Sequence, residues 1–320
     1  MNTKIIRTGH YLPKTKITNT DFESVMDTND EWIRKRTGIR QRRFSKESAT
    51  YMATQAAHNA CIDIDVESID CIIVASYTPD TFIPTIANAV RANLNITRPI
   101  ASFDLNAACS GFLFALQTAN AYLLAKIYKR ILVIGVDKNS QYLNFEDRST
   151  SILFGDGAGA VLVELGDKGI IDCILGGEAD NNDSITMKNA THTPNPFIQN
   201  KPFTHEYFKM KGPEVFKFAT RIITQAIKEI LIKNSLTIDE IDYIVAHQAN
   251  KRILESAARS LNCSSEKFLT NIENYGNTSS ASVPILLDER LKDDTILEGM
   301  TIILIAFGGG LTYGTALVEM

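Results

Sequence analysis

A chain of 320 residues, 44% of them hydrophobic and 22% charged, is long enough for one large unit with two cores or for two ordinary domains, and its composition is that of a soluble globular protein. A formal net charge of −4 leaves no global basic field, so nucleic acid and an acidic membrane are excluded as main partners. The amino terminus has no long apolar run, no stretch reaches the roughly 18–20 residues that span a bilayer, and the five cysteines (61, 71, 109, 173, 263) are scattered without CxxC spacing. Those features exclude a disulfide framework and a zinc site, and they point to a reducing cytoplasm.

In chain order, the basic runs Arg34-Lys35-Arg36 and Arg40 to Arg43 read first as solvated faces. Cys71 to Ala75 (CIIVA) is an apolar, β-branched run of the kind that forms a strand buried on both faces. A short apolar strand through Phe103 then runs into small residues around Cys109-Ser110-Gly111, and a helix is predicted over 111–127. Ile131 to Val136 is the next buried strand. GDGAGA at 155–160 has glycines like those of a dinucleotide loop, but it leads into the strand AVLVE instead of a helix, so the Rossmann reading fails. The segment 181–206 is rich in Asn, Thr, Pro and Lys and has no period, so a loop is expected there, either disordered or a lid. Helices are predicted over 215–233 and 251–261, with a strand at Tyr243 to Ala246 between them. Ile302 to Ala306 is the last long buried strand, and Phe307-Gly308-Gly309-Gly310 follows it. Glycines there allow backbone N–H groups to come close to a ligand, as an oxyanion hole requires.

The chain repeats itself. DVESIDCIIVA (65–75) resembles LTIDEIDYIVA (236–246), and aligning Ile69-Asp70 with Ile241-Asp242 sets an offset of 172. The strand at 131–136 returns at 302–307 with an offset of 171, and GAVLVE (159–164) echoes GTALVE (314–319). Three matches in one order imply a duplicated α/β unit with halves near 1–165 and 166–320.

Cys109 stands at a strand-to-helix turn, where free N–H groups and the helix dipole favour the thiolate, the nucleophilic form. A lone cysteine is ordinarily just buried, and Cys61, Cys71, Cys173 and Cys263 read that way. Cys109 differs in having candidate partners. His247 follows the strand ending at Ala246, and strand ends are where α/β proteins place their chemistry. Asn277 lies in NYGNTSSAS (274–282), and Cys109 shifted by 172 falls on Ala281 in the same run, so a pseudo-two-fold axis would bring the two turns together.

The blocks DTNDEWIRKRTGIRQRR (27–43), TPD (78–80), NAACSGF (106–112), DRSTSILFGDGAGA (147–160), MKGPEVFKFA (210–219), HQANKRI (247–253), NYGNTSSAS and FGGGLTYG (307–314) occur in one order along nearly the whole chain. On them the chain resembles the β-ketoacyl-acyl-carrier-protein synthase III family, the initiating condensing enzymes of type II fatty acid synthesis. The resemblance implies a thiolase-like α/β fold in which two duplicated halves build α-β-α-β-α layers, the first carrying the nucleophile and the second the His and Asn. It implies decarboxylative condensation of an acyl-CoA primer with malonyl-acyl-carrier protein, no metal, and no cofactor other than acyl-CoA as a substrate. By resemblance Cys109, His247 and Asn277 form the triad, and the N–H groups of Cys109 and Gly309 form the oxyanion hole. Phe307 stands beside the decarboxylating group. Trp32 and Arg148 sandwich the coenzyme A adenine, with Thr28, Arg36 and Asn250 as further coenzyme A contacts. Lys217 and Arg252 attract the acidic carrier protein, and Ile83 shapes the acyl pocket near the partner in a homodimer. Three positions depart from familiar members: Tyr313 stands where Trp is common, Pro213 where Asn or Arg is, and Ile83 where Phe is, which leaves room for a longer or branched primer.

Other readings compete. A biosynthetic thiolase would carry a second cysteine near Phe307, and an elongating synthase would carry a second histidine where Asn277 stands. A secondary-metabolite ketosynthase or acyltransferase with a non-acetyl primer shares the triad. A Cys-His-Asn hydrolase uses the same residue types but leaves the adenine and carrier matches unexplained, and a silent binding protein leaves the triad unexplained. His10, His58, His192 and His205 lie outside these motifs and read as surface or core.

Overall fold

A computed structural model describes residues 1–187, 197 and 207–320. The main sheet is built from β1 (Asn2–Tyr11), β2 (Cys71–Ala75), β3 (Ala101–Leu105), β4 (Arg130–Asp137), β5 (Gly157–Gly166), β6 (Ile170–Gly177), β7 (Tyr243–Ala246), β8 (Phe268–Leu269), β9 (Thr301–Phe307) and β10 (Thr312–Glu319). Their order is β8-β7-β9-β10-β6-β1-β5-β4-β2-β3. Reading outward from the centre, β1-β5-β4-β2-β3 on one side matches β6-β10-β9-β7-β8 on the other. The strand directions match too. β2 is parallel to β3 and β4, and β7 to β8 and β9; β5 and β10 are antiparallel to their neighbours on both sides. A single pairing, Thr3 with Ile170, joins the two sets.

Helices complete the layers: α1 (Asp30–Thr37), α2 (Ala49–Ala60), α3 (Ile86–Asn93), α4 (Gly111–Leu124), α5 (Gly212–Lys233), α6 (Lys251–Leu261) and α7 (Ser282–Lys292). Successive strand side chains point to opposite faces, and each face finds a different helix layer. Ile131 and Val133 of β4 share a core with Leu113 and Leu116 of α4, with Leu286 of α7, and with Ile302 and Leu304 of β9. Leu132 and Ile134 pack instead under α2 and α3, while Ile303 and Ile305 pack under α5 and α6. The result is α-β-α-β-α, with α4 and α7 in the middle.

The helix sequences fit these places. α6 presents Ile253, Leu254, Ala257, Ala258 and Leu261 inward, the single apolar stripe of a helix with one wet face. α4 (GFLFALQTANAYLL) is apolar nearly all round because sheet covers it on two sides. Each leucine it buries contributes about 1.5–3 kcal/mol relative to exposure.

Several elements differ from their predicted bounds. The helix predicted over 111–127 ends at Leu124, where Lys126 turns into the left-handed region at φ 58°, and α5 starts three residues early with Pro213 in its first turn. Within the loop expected over 181–206, Ile185–Thr186 pair with Lys209–Met210 as a short antiparallel ribbon. Positions 188–196 and 198–206, with His192 and His205, lie outside the described residues. No described helix is long and apolar enough to cross a membrane.

Candidate active site

The two halves meet where α4 and α7 begin. After β3, the Asn106 side chain accepts the Ala108 N–H at 3.0 Å, Ala108 takes φ 47°, and a 3-10 turn over Ala108–Ser110 leads into α4. The matching turn, Ser279–Ala281, has Ser279 at φ 53° and leads into α7. The equivalence is therefore Ala108 with Ser279, an offset of 171, one residue from the register that aligned Cys109 with Ala281.

Cys109 is buried at this junction. The end of β9 presses against it. A Cβ on Gly308 would stand 2.6 Å from the Cys109 Cβ, so only glycine fits there. Ser279 donates its hydroxyl to the sulfur at 3.4 Å, and the backbone N–H groups of Gly309 and of Cys109 itself lie close enough to stabilise negative charge on it. These donors favour the thiolate. Burial opposes them and prevails, because a charge is poorly solvated here, and the thiol is pushed up to about 11. The turn alone led us to expect the opposite direction. The helix start supplies donors, but full burial outweighs them in the resting site.

His247 follows β7 and donates its backbone N–H to Ile305 O at 2.8 Å. Its Nδ1 lies 2.6 Å from Ser282 Oγ, and its ring meets Phe307 edge to face, with centroids 5.2 Å apart. Burial lowers its pKa to about 3, so the imidazole is neutral. With Nδ1 engaged, Nε2 is the nitrogen left for a ligand. Asn277 is tied at both backbone groups, donating to Leu153 O at 2.8 Å and accepting from Gly155 N at 2.9 Å. Its Oδ1 accepts the Ser279 N–H at 2.8 Å, which leaves the Nδ2 protons for a ligand.

Cys109, His247, Asn277, Phe307 and Gly308 all line one cavity of about 380 Å³. Trp32, Arg36, Arg148, Asn250 and Arg252 line it as well, together with Pro213, which has no N–H to offer. Arg36 and Arg148 lie 4.3 and 5.0 Å from the Trp32 ring centroid. Asn250 caps α6 through the Arg252 N–H and donates to Arg36 O at 3.1 Å. Cys109 also borders a second cavity of about 330 Å³, walled by Tyr77, Ile185, Met187, Phe208 and Gly309.

The remaining expected residues lie elsewhere. Thr28 is not part of either cavity wall, and its Oγ1 is buried without a hydrogen-bond partner among the described residues. Lys217 is exposed on α5, in a surface groove it shares with Arg221 and Lys228. Ile83 is 91% exposed and borders neither cavity. Tyr313 pairs with Phe307 across the β9–β10 ladder and is not among the residues that line the cavity. Among the described residues no three His, Cys, Asp or Glu side chains gather in a way that could hold a metal ion. Sequence reasoning missed Ser279 and Ser282, which touch the sulfur and the imidazole, and the buried Asp137. Their signal was polarity in otherwise apolar surroundings: an aspartate ending the strand ILVIGV, and serines opening a buried helix.

Comparison with known proteins agrees over the full length. Residues 103–179 match the family 3-oxoacyl-[acyl-carrier-protein (ACP)] synthase III, and residues 231–320 match its C-terminal region. The chain is 43% identical to the beta-ketoacyl-[acyl-carrier-protein] synthase III of Clostridium acetobutylicum, over 99% of this chain and 98% of that one. It is 44% identical to the protein of that name from Acholeplasma laidlawii, over 99% and 98%. The crystal structure of 3-oxoacyl-[acyl-carrier-protein] synthase III from Aquifex aeolicus superposes with a TM-score of 0.92 at 41% identity, covering 99% of this chain and all of that one.

Proposed function

The chain belongs to the 3-oxoacyl-[acyl-carrier-protein] synthase III family, and from that premise we propose that it condenses an acyl-CoA primer with malonyl-acyl-carrier protein, with loss of carbon dioxide, to start type II fatty acid synthesis. The observation that carries this reading is the meeting of Cys109, His247 and Asn277 in one cavity that Trp32, Arg36 and Arg148 also line. The N-terminal half, residues 1–165, supplies the nucleophile, and the C-terminal half, residues 166–320, supplies the two donors.

In the first half-reaction the Cys109 sulfur attacks the thioester carbonyl. The N–H groups of Cys109 and Gly309, which stabilise negative charge at this sulfur, hold the oxyanion that forms beside it. Coenzyme A leaves as its thiol. The acyl group is held by the apolar walls of the second cavity, and Ile83 of a second copy completes that pocket in a homodimer. Trp32 and Arg148 clasp the adenine, while Arg36, Asn250 and Thr28 make further contacts with coenzyme A.

In the second half-reaction His247 Nε2 and Asn277 Nδ2 donate to the malonyl thioester oxygen. Carbon dioxide departs, the enolate attacks the acyl carbonyl, and the Cys109 sulfur is released. Donors aimed at developing negative charge act only as that charge forms, which is why they speed the step. Phe307 offers an apolar surface that disfavours the carboxylate. A hydroxyl can donate or accept, so Ser282 supports either tautomer of His247. Lys217 and Arg252 draw in the acidic carrier protein. Soluble thioester substrates place the enzyme in the cytoplasm.

The test follows acyl-adduct formation by intact mass, alongside release of labelled carbon dioxide. Asn277→Ala should still form the Cys109 adduct and release carbon dioxide about 10²–10³ more slowly, the usual loss for one such donor. His247→Ala should impair the same step. An Asn277→Ala protein that decarboxylates normally but cannot be acylated would overturn the assignment.

A further inference from the structure

A buried carboxylate beside the site has no role in the steps above. Asp137, the last residue of β4, is fully buried, and among the described residues no Lys or Arg pairs with it. Neutral donors alone surround it. Its Oδ1 accepts the Ser76 hydroxyl at 3.2 Å, the Tyr77 N–H at 2.9 Å and the Thr78 hydroxyl at 3.1 Å. Its Oδ2 accepts the Ser280 N–H at 3.1 Å and the Ser280 hydroxyl at 2.7 Å. One oxygen thus holds the turn after β2, which walls the acyl-side cavity at Tyr77, and the other holds the turn before α7.

The second turn is the one the chemistry uses. Ser279, the residue before the pinned peptide, gives its N–H to Asn277 Oδ1 and its hydroxyl to Cys109 Sγ. It does so at φ 53°, a conformation a serine keeps only under restraint from its surroundings. Gly135 lets the turn lie directly on β4, since a Cβ there would stand 2.4 Å from Ser280 O.

We infer that Asp137 is a positioning residue: its carboxylate pins the Ser279–Ser280 turn from the other half of the chain, and so aims Asn277 at the malonyl carbonyl. This rests on the role given to Asn277 above. An amide cannot substitute, because a carboxylate accepts on both oxygens whereas an amide offers one acceptor and one donor. Asp137→Asn must turn its NH₂ toward either the Ser280 N–H or the Tyr77 N–H, and one wall is released.

The charge supplies a second readout. Asp137 helps push the Cys109 thiol up, and removing it acts in the opposite direction. The other titratable groups around the pair are Tyr77, His247, Tyr142 and Asp156, with Lys138 on the far side against Asp156.

The experiment compares wild type, Asp137→Asn, Ser280→Ala and Asn277→Ala in the full-length protein. It measures acyl-adduct formation, carbon dioxide release, and the pH profile of Cys109 alkylation by iodoacetamide. Asp137→Asn should form the adduct, release carbon dioxide about 10²-fold more slowly because a misaimed group loses that much, and be alkylated at lower pH than wild type. Ser280→Ala loses one donor to Asp137 and keeps the N–H, so it should show a smaller loss of carbon dioxide release with adduct formation unchanged. If Asp137→Asn does not fold, Ser280→Ala decides. Normal carbon dioxide release by these variants, while Asn277→Ala is impaired, overturns the role of Asp137 alone. Equal loss of both half-reactions with an unmoved alkylation profile also overturns it, since that is the mark of general disorder. Unimpaired release by Asn277→Ala overturns the underlying reading of Asn277 instead.

Discussion

Five cysteines share the chain, and burial raises the thiol pKa of each, so a low resting pKa does not single out the proposed nucleophile. What sets Cys109 apart is company. The Ser279 hydroxyl donates to its sulfur and nearby backbone N–H groups favour its thiolate, whereas Cys71 and Cys61 sit in apolar cores. Cys109→Ser should therefore abolish adduct formation from acyl-CoA while leaving the unfolding midpoint near wild type, because a hydroxyl fills the site without being a comparable nucleophile. Intact mass and urea unfolding check the two halves of that statement. His247 carries a pH consequence. Its folded pKa of about 3 lies below the unfolded value near 6.5, so the stability gained by keeping it neutral is fully present above about pH 6.5 and falls as pH drops toward 3. Between pH 7 and pH 5 this one residue should remove about 2 kcal/mol. Urea unfolding at the two pH values, with His247→Gln as the reference that does not titrate, measures it.

At the scale of elements, the helix starts organise the site. α1 begins under the Asn29 side chain, which accepts the Trp32 N–H, and so sets Trp32 in the first turn and Arg36 one turn later on the same side. α6 begins under Asn250, whose side chain serves two masters: its oxygen caps the helix at the Arg252 N–H, and its NH₂ ties down Arg36 O. Asn250→Ala should accordingly lose about 1 kcal/mol of stability from the cap and raise KM for acyl-CoA, with acylation at saturating substrate little changed. Asn250→Asp keeps the cap and loses only the Arg36 contact, so it should recover the stability and leave the KM effect.

The chain carries a net charge of −4, so the proposed attraction of an acidic carrier protein rests on local basic residues. Lys217 of α5 and Arg252 of α6 come from segments 35 residues apart in sequence, and both are exposed although α5 and α6 share one core. Lys217→Ala and Arg252→Ala should weaken the use of malonyl-acyl-carrier protein while affecting acylation by small acyl-CoA much less. The deficit relative to wild type should be largest at low salt, where attraction is least screened, and should shrink as ionic strength rises. Steady-state kinetics across a salt series checks this. A deficit independent of salt, or one equal in both half-reactions, would assign these residues to the fold or to the coenzyme A site.

Much was legible in the chain itself. Buried strands announce themselves as unbroken β-branched runs, so Cys71 to Ala75 and Tyr243 to Ala246 could be bounded to the residue. Repetition in DVESIDCIIVA and LTIDEIDYIVA foretold matching strand orders, since like segments bury like faces. That Cys109, His247 and Asn277 share one cavity was legible because each stands in a motif at a strand end or turn. Tertiary structure decided what depends on contacts between distant segments. It set the balance of burial against hydrogen bonding that raises the Cys109 thiol and keeps His247 neutral, because desolvation is a property of the finished interior. It also brought Asp137 to Ser280 across 143 positions of chain, and Ser282 to His247 across 35. Nothing local marks such partners, since a hydroxyl or carboxylate takes its role from whichever group the fold carries to within hydrogen-bonding distance.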